Sequence, residues 1–393
     1  MRNDETGYEF NRTNAETYRM NYFNRHFIIA GLILFTLMVG GRLNNTISAG
    51  QDDLKDVTFY YAYGYLEGDE WVIPMKVYVS EPRPVQERAV TALIRSRYDL
   101  DDEETEIFRS RISAFIADSE SRERVVFVFD DDPAQEEFRI LGEDGDQLRT
   151  NLNGIKNGEI RLSRERVEEL LKSQNSTDGW LTIRAVSDEH EGTGRIRLIG
   201  TYGLSVISDI DDTIKITEMP AGTRIVLRNT FFKPYQAAPG MAEMYQRWDG
   251  AAFHYVSGTP RQFFNPLTEF FFYQGQGFPP GTLHMKDVQK NFLSTETWKN
   301  MGDIIINDNY TYEQKSGQIA EIIERFPDRR FILVGDSGDR DPEIYREMMR
   351  RFPDQIEQVY IRDVVNDRQL NPGRLEGMEI IPARTVEHGV SQF

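Results

Sequence analysis

Polar and apolar positions divide the chain into three kinds of pattern. Phe27 to Gly41 is one continuous apolar run without a charge. From Val57 to about Ile199, short β-branched and aromatic runs alternate with turn residues. These are Val57–Gly64, Trp71–Val79, Arg124–Phe129, Phe138–Leu141, Trp180–Val186 and Gly194–Gly200. Runs of this kind predict strands. Pro74, inside the second, predicts an edge strand or a bulge, because proline cannot donate to a ladder. Helical pieces are expected over about 85–98 and just after Ser163, where Ser163 and a following glutamate are read as a capping box. The acidic run Asp101–Glu106 reads as a solvated loop or a helix start, and Asp130–Pro133 as a turn without EF-hand spacing.

From Tyr202 onward the grammar changes. Apolar strands at 204–208, 252–256, 303–306, 331–334 and 358–361 alternate with helices near 241–248, 260–273, 311–326 and 342–351. That alternation predicts a parallel sheet with helices on both faces. The domain expectation is a polar tail (1–26), a signal peptide or membrane anchor (27–43), a β-rich sandwich- or barrel-like domain (51–200), an α/β domain (201–366) and a polar tail (367–393).

The apolar run is short for a spanning helix, which takes about 20 residues. Its length and the preceding Arg25 suit a signal-peptide core. Arg12, Arg19 and Arg25 precede it and Arg42 and Lys55 follow it, a bias toward an inside N-terminus. A cleaved signal and a retained anchor both stay open, and the chain is expected to be membrane-associated or exported.

The net charge of −18 argues against a nucleic-acid partner. It also means that a phosphorylated substrate has to be drawn in by a local cation, because the long-range field repels it. Cysteine is absent, which excludes disulfides, thiolate catalysis and cysteine-based zinc sites.

Against this background, the run Leu204–Ser208 ends in Asp209, Asp211, Asp212 and Thr213. Carboxylates at the end of a buried strand are costly unless a cation or hydrogen bonds compensate. Open α/β folds place their ligands at such strand ends. Later loops bring further polar groups: Ser257-Gly258 after the second strand, Lys315 in a helix taken to begin near Tyr312, and Asp336, Asp339 and Asp341 after the 331–334 strand. A lysine in a first turn faces the wrong end of the helix dipole, so Lys315 asks for another explanation.

Together these residues describe phosphoryl transfer. Asp209 would attack phosphorus and Asp211 would move the proton. Asp209, Asp211 through its backbone carbonyl, and Asp336 would ligate Mg²⁺, with Asp341 or Asp339 in support. Thr213, Ser257, Gly258 and Lys315 would hold the phosphoryl group. Asp212 is read as shaping its loop, and Lys215, Arg228 and Arg261 as candidates for the substrate's charge, with a surface role the more usual place for any one of them.

The order of these groups resembles the haloacid dehalogenase (HAD) superfamily of phosphatases. Asp209-Ile-Asp211-Asp-Thr213, Ser257, Lys315 and Gly335-Asp336 with Asp341 stand for its four motifs. The resemblance implies a HAD-like, Rossmannoid three-layer domain behind the β-rich one. Residues 200–365 more closely resemble the catalytic domain of actin-patch-type phosphatidate phosphatases, through Val226-Leu-Arg-Asn-Thr-Phe, His254-Tyr-Val-Ser-Gly-Thr-Pro, Gly277-Phe-Pro-Pro-Gly and Phe331–Tyr345. That family implies Mg²⁺-dependent hydrolysis of phosphatidate to diacylglycerol. Arg261, Gln314 and Asp339 depart from its pattern, where an aromatic residue, His and Glu are usual.

Superfamily lids are inserted between the first and second motifs and between the second and third. Both gaps here are short, which suits a head group at a membrane surface. The aromatic stretch Phe263–Tyr273 would line a lipid approach or, by its spacing, form a buried helix face. Two other functions stay open: a phosphatase of a soluble phosphomonoester or phosphoprotein, and a membrane-tethered, non-catalytic interaction module.

Overall fold

The computed structural model describes residues 54–142, 148–287 and 308–383. The apolar run at 27–41 and the strand expected at 303–306 lie outside them. Among the described residues, no helix is long and apolar enough to cross a membrane.

Among the described residues, ten strands occupy the first part: β1 (Lys55–Phe59), β2 (Ala62–Glu67), β3 (Glu70–Glu81), β4 (Asp118–Ser119), β5 (Val126–Phe129), β6 (Phe138–Arg139), β7 (Ile155–Ser163), β8 (Trp180–Ala185), β9 (His190–Glu191) and β10 (Thr193–Leu198). They form one connected sheet, in the order β6-β5-β8-β10-β2-β3-β1-β9, with β4 and β7 also on β3. Strand β3 alternates, as period 2 requires. Ile73, Met75, Val77 and Val79 face a core shared with Phe59, Phe127, Phe129 and Leu181, while Val72 and Tyr78 belong to other cores.

Pro74 is not on an edge strand. It pairs opposite Glu159 of β7 and lies where the neighbour on the other side changes from β2 to β1. A residue without an N–H is tolerated at such a break. The acidic run opens a helix, Asp102–Ile116. Asp101 accepts from the N–H of Glu104, whose side chain bonds back to the Asp101 N–H, a reciprocal cap. Ser163 caps the helix Arg164–Ser173 through the N–H of Arg166. The capping box expected there does not form, because its third helical residue is arginine.

Among the described residues, the second part is a six-stranded sheet: β11 (Gly203–Ser208), β12 (Ala252–Pro260), β13 (Gly281–Lys286), β14 (Arg329–Asp336), β15 (Ile356–Asp363) and β16 (Glu379–Pro382). Its order is β13-β12-β11-β14-β15-β16, and every pairing is parallel. Alternate residues of the central strands enter different cores. Val206, Ile332 and Val334 face the short helical segments between Thr223 and Tyr273, and Ile207 and Leu333 face the helices Asp308–Arg325 and Asp341–Arg351. Helices therefore cover both faces, as expected for buried parallel strands.

Strand β16 corrects the expectation of a polar tail from 367. Arg374 binds Glu343 and Asp367 and donates to the carbonyls of Ser337 and Asp339, which fastens this segment to the loop after β14. The aromatic stretch is a buried face: Phe263, Phe264, Leu267, Phe270 and Phe271 are all in the core. It packs against the first part through Tyr60, Tyr61 and Phe115. One apolar cluster thus runs from the first part into the second.

Candidate active site

Chain order fixes where the site forms. From β11 the chain proceeds outward to β12 and β13, and later outward on the other side from β14 to β16. The loops leaving β11 and β14 diverge, and the crevice at this switch is where open α/β sheets bind ligands. Asp209 follows β11 and Asp336 ends β14. The N–H of Asp209 donates to the carbonyl of Val334 at 2.9 Å, which locks the two strand ends together.

Three carboxylates meet there. Oxygens of Asp209, Asp336 and Asp341 lie within 4.8 Å of one another, and all three residues are buried. Gly335 permits this approach, since a Cβ at that position would lie 2.3 Å from the Asp341 carboxylate. Lys315 stands between two of the acids, donating to Asp209 at 2.7 Å and to Asp341. Thr213 donates to the other oxygen of Asp209 at 3.0 Å. Asp336 accepts from the N–H of Gly338 at 2.6 Å with one oxygen, while its Oδ2 is buried and has no hydrogen-bond partner.

Burial, and next the repulsion of Asp341 and Asp209, push the Asp336 carboxyl well above the usual range. Asp209 is also raised by burial, with Lys315 opposing. Lys315 would be lowered by burial, but Asp209 and Asp341 outweigh that and hold it well above an ordinary lysine. Three acids and one lysine leave an excess of negative charge, and one buried oxygen is unpaired. An all-oxygen donor set of this kind fits a hard divalent cation such as Mg²⁺. Asp209, Asp336 and Asp341 are the carboxylates that would hold it.

Lys315 is not in a first turn. Its helix starts at Asp308, about two turns earlier, so the dipole argument lapses and the two carboxylates alone account for it. Of the two support candidates, Asp341 joins the cluster, whereas Asp339 meets the rest of the protein through its carbonyl, which accepts from Arg374.

The carboxylate of Asp211 turns elsewhere. It accepts from Lys215 at 2.6 Å, Thr217 at 2.7 Å, Thr259 at 2.6 Å and Ser257 at 3.2 Å. Burial alone would raise its pKa, but Lys215 and the hydroxyls outweigh it, so the pKa falls to about 2. Ser257 also accepts from the N–H of Thr259 at 2.9 Å. The β12–β13 register breaks between Ser257 and Pro260, which turns Gly258 and Thr259 out of the ladder. Three hydroxyls and one ammonium therefore face a single carboxylate, donors of the kind a phosphoryl group requires.

Asp212 shapes the loop. It sits at φ +59°, and its carboxylate accepts from the N–H groups of Thr217, Glu218 and Met219 at 2.8, 2.7 and 2.6 Å. Lys215 and Arg261 are not surface cations, since both are buried. Arg261 donates to the Tyr60 hydroxyl at 3.0 Å and lies over the Tyr78 ring. Arg228 is half-buried and paired with Glu104 at 2.6 Å. Sequence reasoning missed Thr217 and Thr259. The only signal was their polarity close behind Asp211 and Ser257.

This arrangement lies within a stretch that has known relatives. Residues 204–363 match the family model described as the catalytic domain of phosphatidate phosphatase APP1. Phosphatidate phosphatase APP1 of Saccharomyces cerevisiae is 36% identical over 185 residues, covering 46% of this chain and 29% of that protein. An uncharacterised protein of Schizosaccharomyces pombe is 28% identical over 207 residues, covering 51% of this chain and 30% of that protein. The chain thus spans under a third of the length of these curated relatives. Among solved structures, the β-glucuronidase of Ruminococcus gnavus is 10% identical, covering 79% of this chain and 54% of that one, with a TM-score of 0.21. So low a score carries no argument. Asp209, Asp211, Asp212, Asp336, Asp339 and Asp341, together with Ser257 and Lys315, fall inside the APP1 match.

Proposed function

We propose that the protein is a Mg²⁺-dependent phosphatidate phosphatase working through an aspartyl-phosphate, with the motif order of the HAD superfamily. The catalytic-domain match and the name of the yeast relative support a phosphatase enzyme. The observation that carries the mechanism is Asp209, held between Lys315 and Thr213 in a crevice that also contains Asp336 and Asp341.

In the first step an oxygen of Asp209 attacks phosphorus and the bond from phosphorus to the glycerol oxygen breaks. Asp211 gives its proton to that oxygen, releasing diacylglycerol. In the second step Asp211 takes a proton from water, the water attacks the aspartyl-phosphate, and inorganic phosphate and free Asp209 result. In the free site Asp211 is ionised beside Lys215; a phosphate dianion brought next to it raises its proton affinity, as any like charge does, and Asp211 takes up from solvent the proton that it then gives to the glycerol oxygen. Ser257, Thr259 and Lys215 then exchange the carboxylate for phosphoryl oxygens. Bound Mg²⁺ supplies the charge that lets a carboxylate approach a phosphate dianion. We assign the site to a membrane surface, because its substrate is a lipid.

The test is phosphate release from phosphatidate in mixed micelles, lysophosphatidate, a soluble phosphomonoester and a phosphopeptide, each with and without Mg²⁺. Asp209→Asn is expected to abolish release while leaving thermal unfolding intact. Acid-quenched wild-type protein is expected to carry one phosphoryl group on the peptide containing Asp209. Full activity in Asp209→Asn refutes the mechanism, and turnover of soluble substrates alone refutes the lipid assignment.

A further inference from the structure

Arg111 lies upstream of the segment matched by the APP1 family, on the helix Asp102–Ile116, yet it reaches the surroundings of the site. It is buried, and its guanidinium donates to the carbonyl of Thr230 at 2.7 Å. Its Cζ is 3.8 Å from the centroid of the Tyr235 ring. Nζ of Lys215 is 4.9 Å from the same centroid and 2.6 Å from Asp211. Tyr235 is itself buried, its hydroxyl donating to the Thr230 carbonyl at 3.3 Å.

The helix does not need Arg111 in order to dock. Phe108 and Phe115 already pack edge-on or tilted against Phe231, Phe232 and Phe263. A guanidinium on that face adds little apolar area and gives up its hydration, and burial lowers its pKa accordingly. The carbonyl and the ring compensate for that loss. The same ring also limits where Lys215 can lie, and Lys215 helps to fix the rotamer of Asp211.

We propose that Arg111 is a positioning residue for catalysis: through the Tyr235 ring it fixes Lys215, and through Lys215 it holds the Asp211 carboxylate against Ser257 and Thr259. The upstream region would then be part of the catalytic apparatus and not only an appended module. The proposal rests on the phosphatase reading given above.

The full chain tests it with Arg111→Met, Arg111→Lys, Tyr235→Leu and Lys215→Met. With phosphatidate in mixed micelles, Arg111→Met is expected to lower kcat about ten- to thirtyfold at nearly unchanged KM. Arg111→Lys is expected to restore most of it. Tyr235→Leu, which keeps the Arg111 bond to Thr230, is expected to show a similar loss. In the Lys215→Met background, Arg111→Met is expected to cost nothing further. An unchanged kcat in folded Arg111→Met, or a full additional loss in the Lys215→Met background, overturns the proposal.

A second readout does not depend on activity. Acylation by a succinimidyl ester, read by peptide mass spectrometry, is expected to leave Lys215 protected in wild type and to label it in Arg111→Met and Tyr235→Leu, with Lys315 protected throughout. Continued protection of Lys215, or exposure of both lysines together, overturns the proposal. If wild type releases no phosphate from any substrate, the phosphatase reading fails, and the labelling still decides whether Arg111 holds Lys215.

Discussion

Replacing Lys315 with methionine isolates the electrostatic design of the site. Methionine preserves most of the volume and removes the charge. Lys315 is 2% exposed and touches Asp209 and Asp341, whose side chains are 5% and 0% exposed. Solvent screening is therefore minimal, in contrast to an exposed pair such as Arg351–Glu324, which contributes only about 0–1 kcal/mol. Breaking a buried pair by removing one partner costs about 3–5 kcal/mol, because the remaining charge stays buried. Here two carboxylates are stranded together, so the loss should fall in the upper part of that range. The sign with pH follows from linkage. Asp209 and Asp341 already have folded pKa values raised chiefly by burial, and without Lys315 both rise further. A carboxyl whose folded pKa exceeds its unfolded value stabilises the fold at low pH, and that stability is lost as pH rises through the folded pKa. Lys315→Met should therefore be much less stable than wild type at pH 8, with the gap narrowing at pH 5. Urea unfolding followed by tryptophan fluorescence reads both. Equal stability of the two proteins at pH 8, or a loss of the same size at both pH values, would refute the reasoning.

Magnesium should raise the unfolding temperature of wild type, by an amount equivalent to about 2.7 kcal/mol at a hundredfold excess over Kd. Asp336→Asn should remove that shift, and a calorimetric scan with and without Mg²⁺ checks it. His254 is buried and held well below an ordinary histidine, chiefly by burial, and His284 is lowered to about 4 for the same reason. Both bond to the Thr282 hydroxyl, at 2.9 and 2.8 Å. The unfolded chain then binds more protons between pH 6.5 and 4, so stability falls as pH drops through that window. His284→Gln should make the fall shallower by up to about 3 kcal/mol, measured as urea midpoints across the range. Arg329 ties the junction of the two sheets together, donating to Ser205 and to the carbonyls of Gly200, Tyr202 and Leu204. Arg329→Ala should destabilise by about 1–3 kcal/mol, because the buried Ser205 hydroxyl and three part-buried carbonyl bonds lose their donor; an unchanged urea midpoint would contradict this.

The legible part of the site was the part carried by local sequence. Asp209, Ser257 and Asp336 each follow an apolar, β-branched run, and a parallel sheet places all such strand ends on one edge. Lys315 was legible as a residue but not in its setting, because the helix start lay earlier than the apolar pattern suggested. Strands β13 and β16 were missed for a different reason. Gly281-Thr-Leu-His-Met-Lys and Glu379-Ile-Ile-Pro are short edge strands with mixed polarity, and their neighbours in the sheet, not their own pattern, make them strands.

The chain's own pattern of runs and breaks determined the order β, acid, α, β, hydroxyl and the later lysine and acids, since each is written within a dozen residues. Tertiary structure decided which of these groups meet. Asp341 and not Asp339 joins Asp209, because Gly335 opens room for it. Asp211 turns to Lys215 and Thr259, and a helix more than a hundred residues upstream places Arg111 over Tyr235. Those choices depend on the direction of side chains across packed elements, a property of the assembled core that no single stretch of sequence contains.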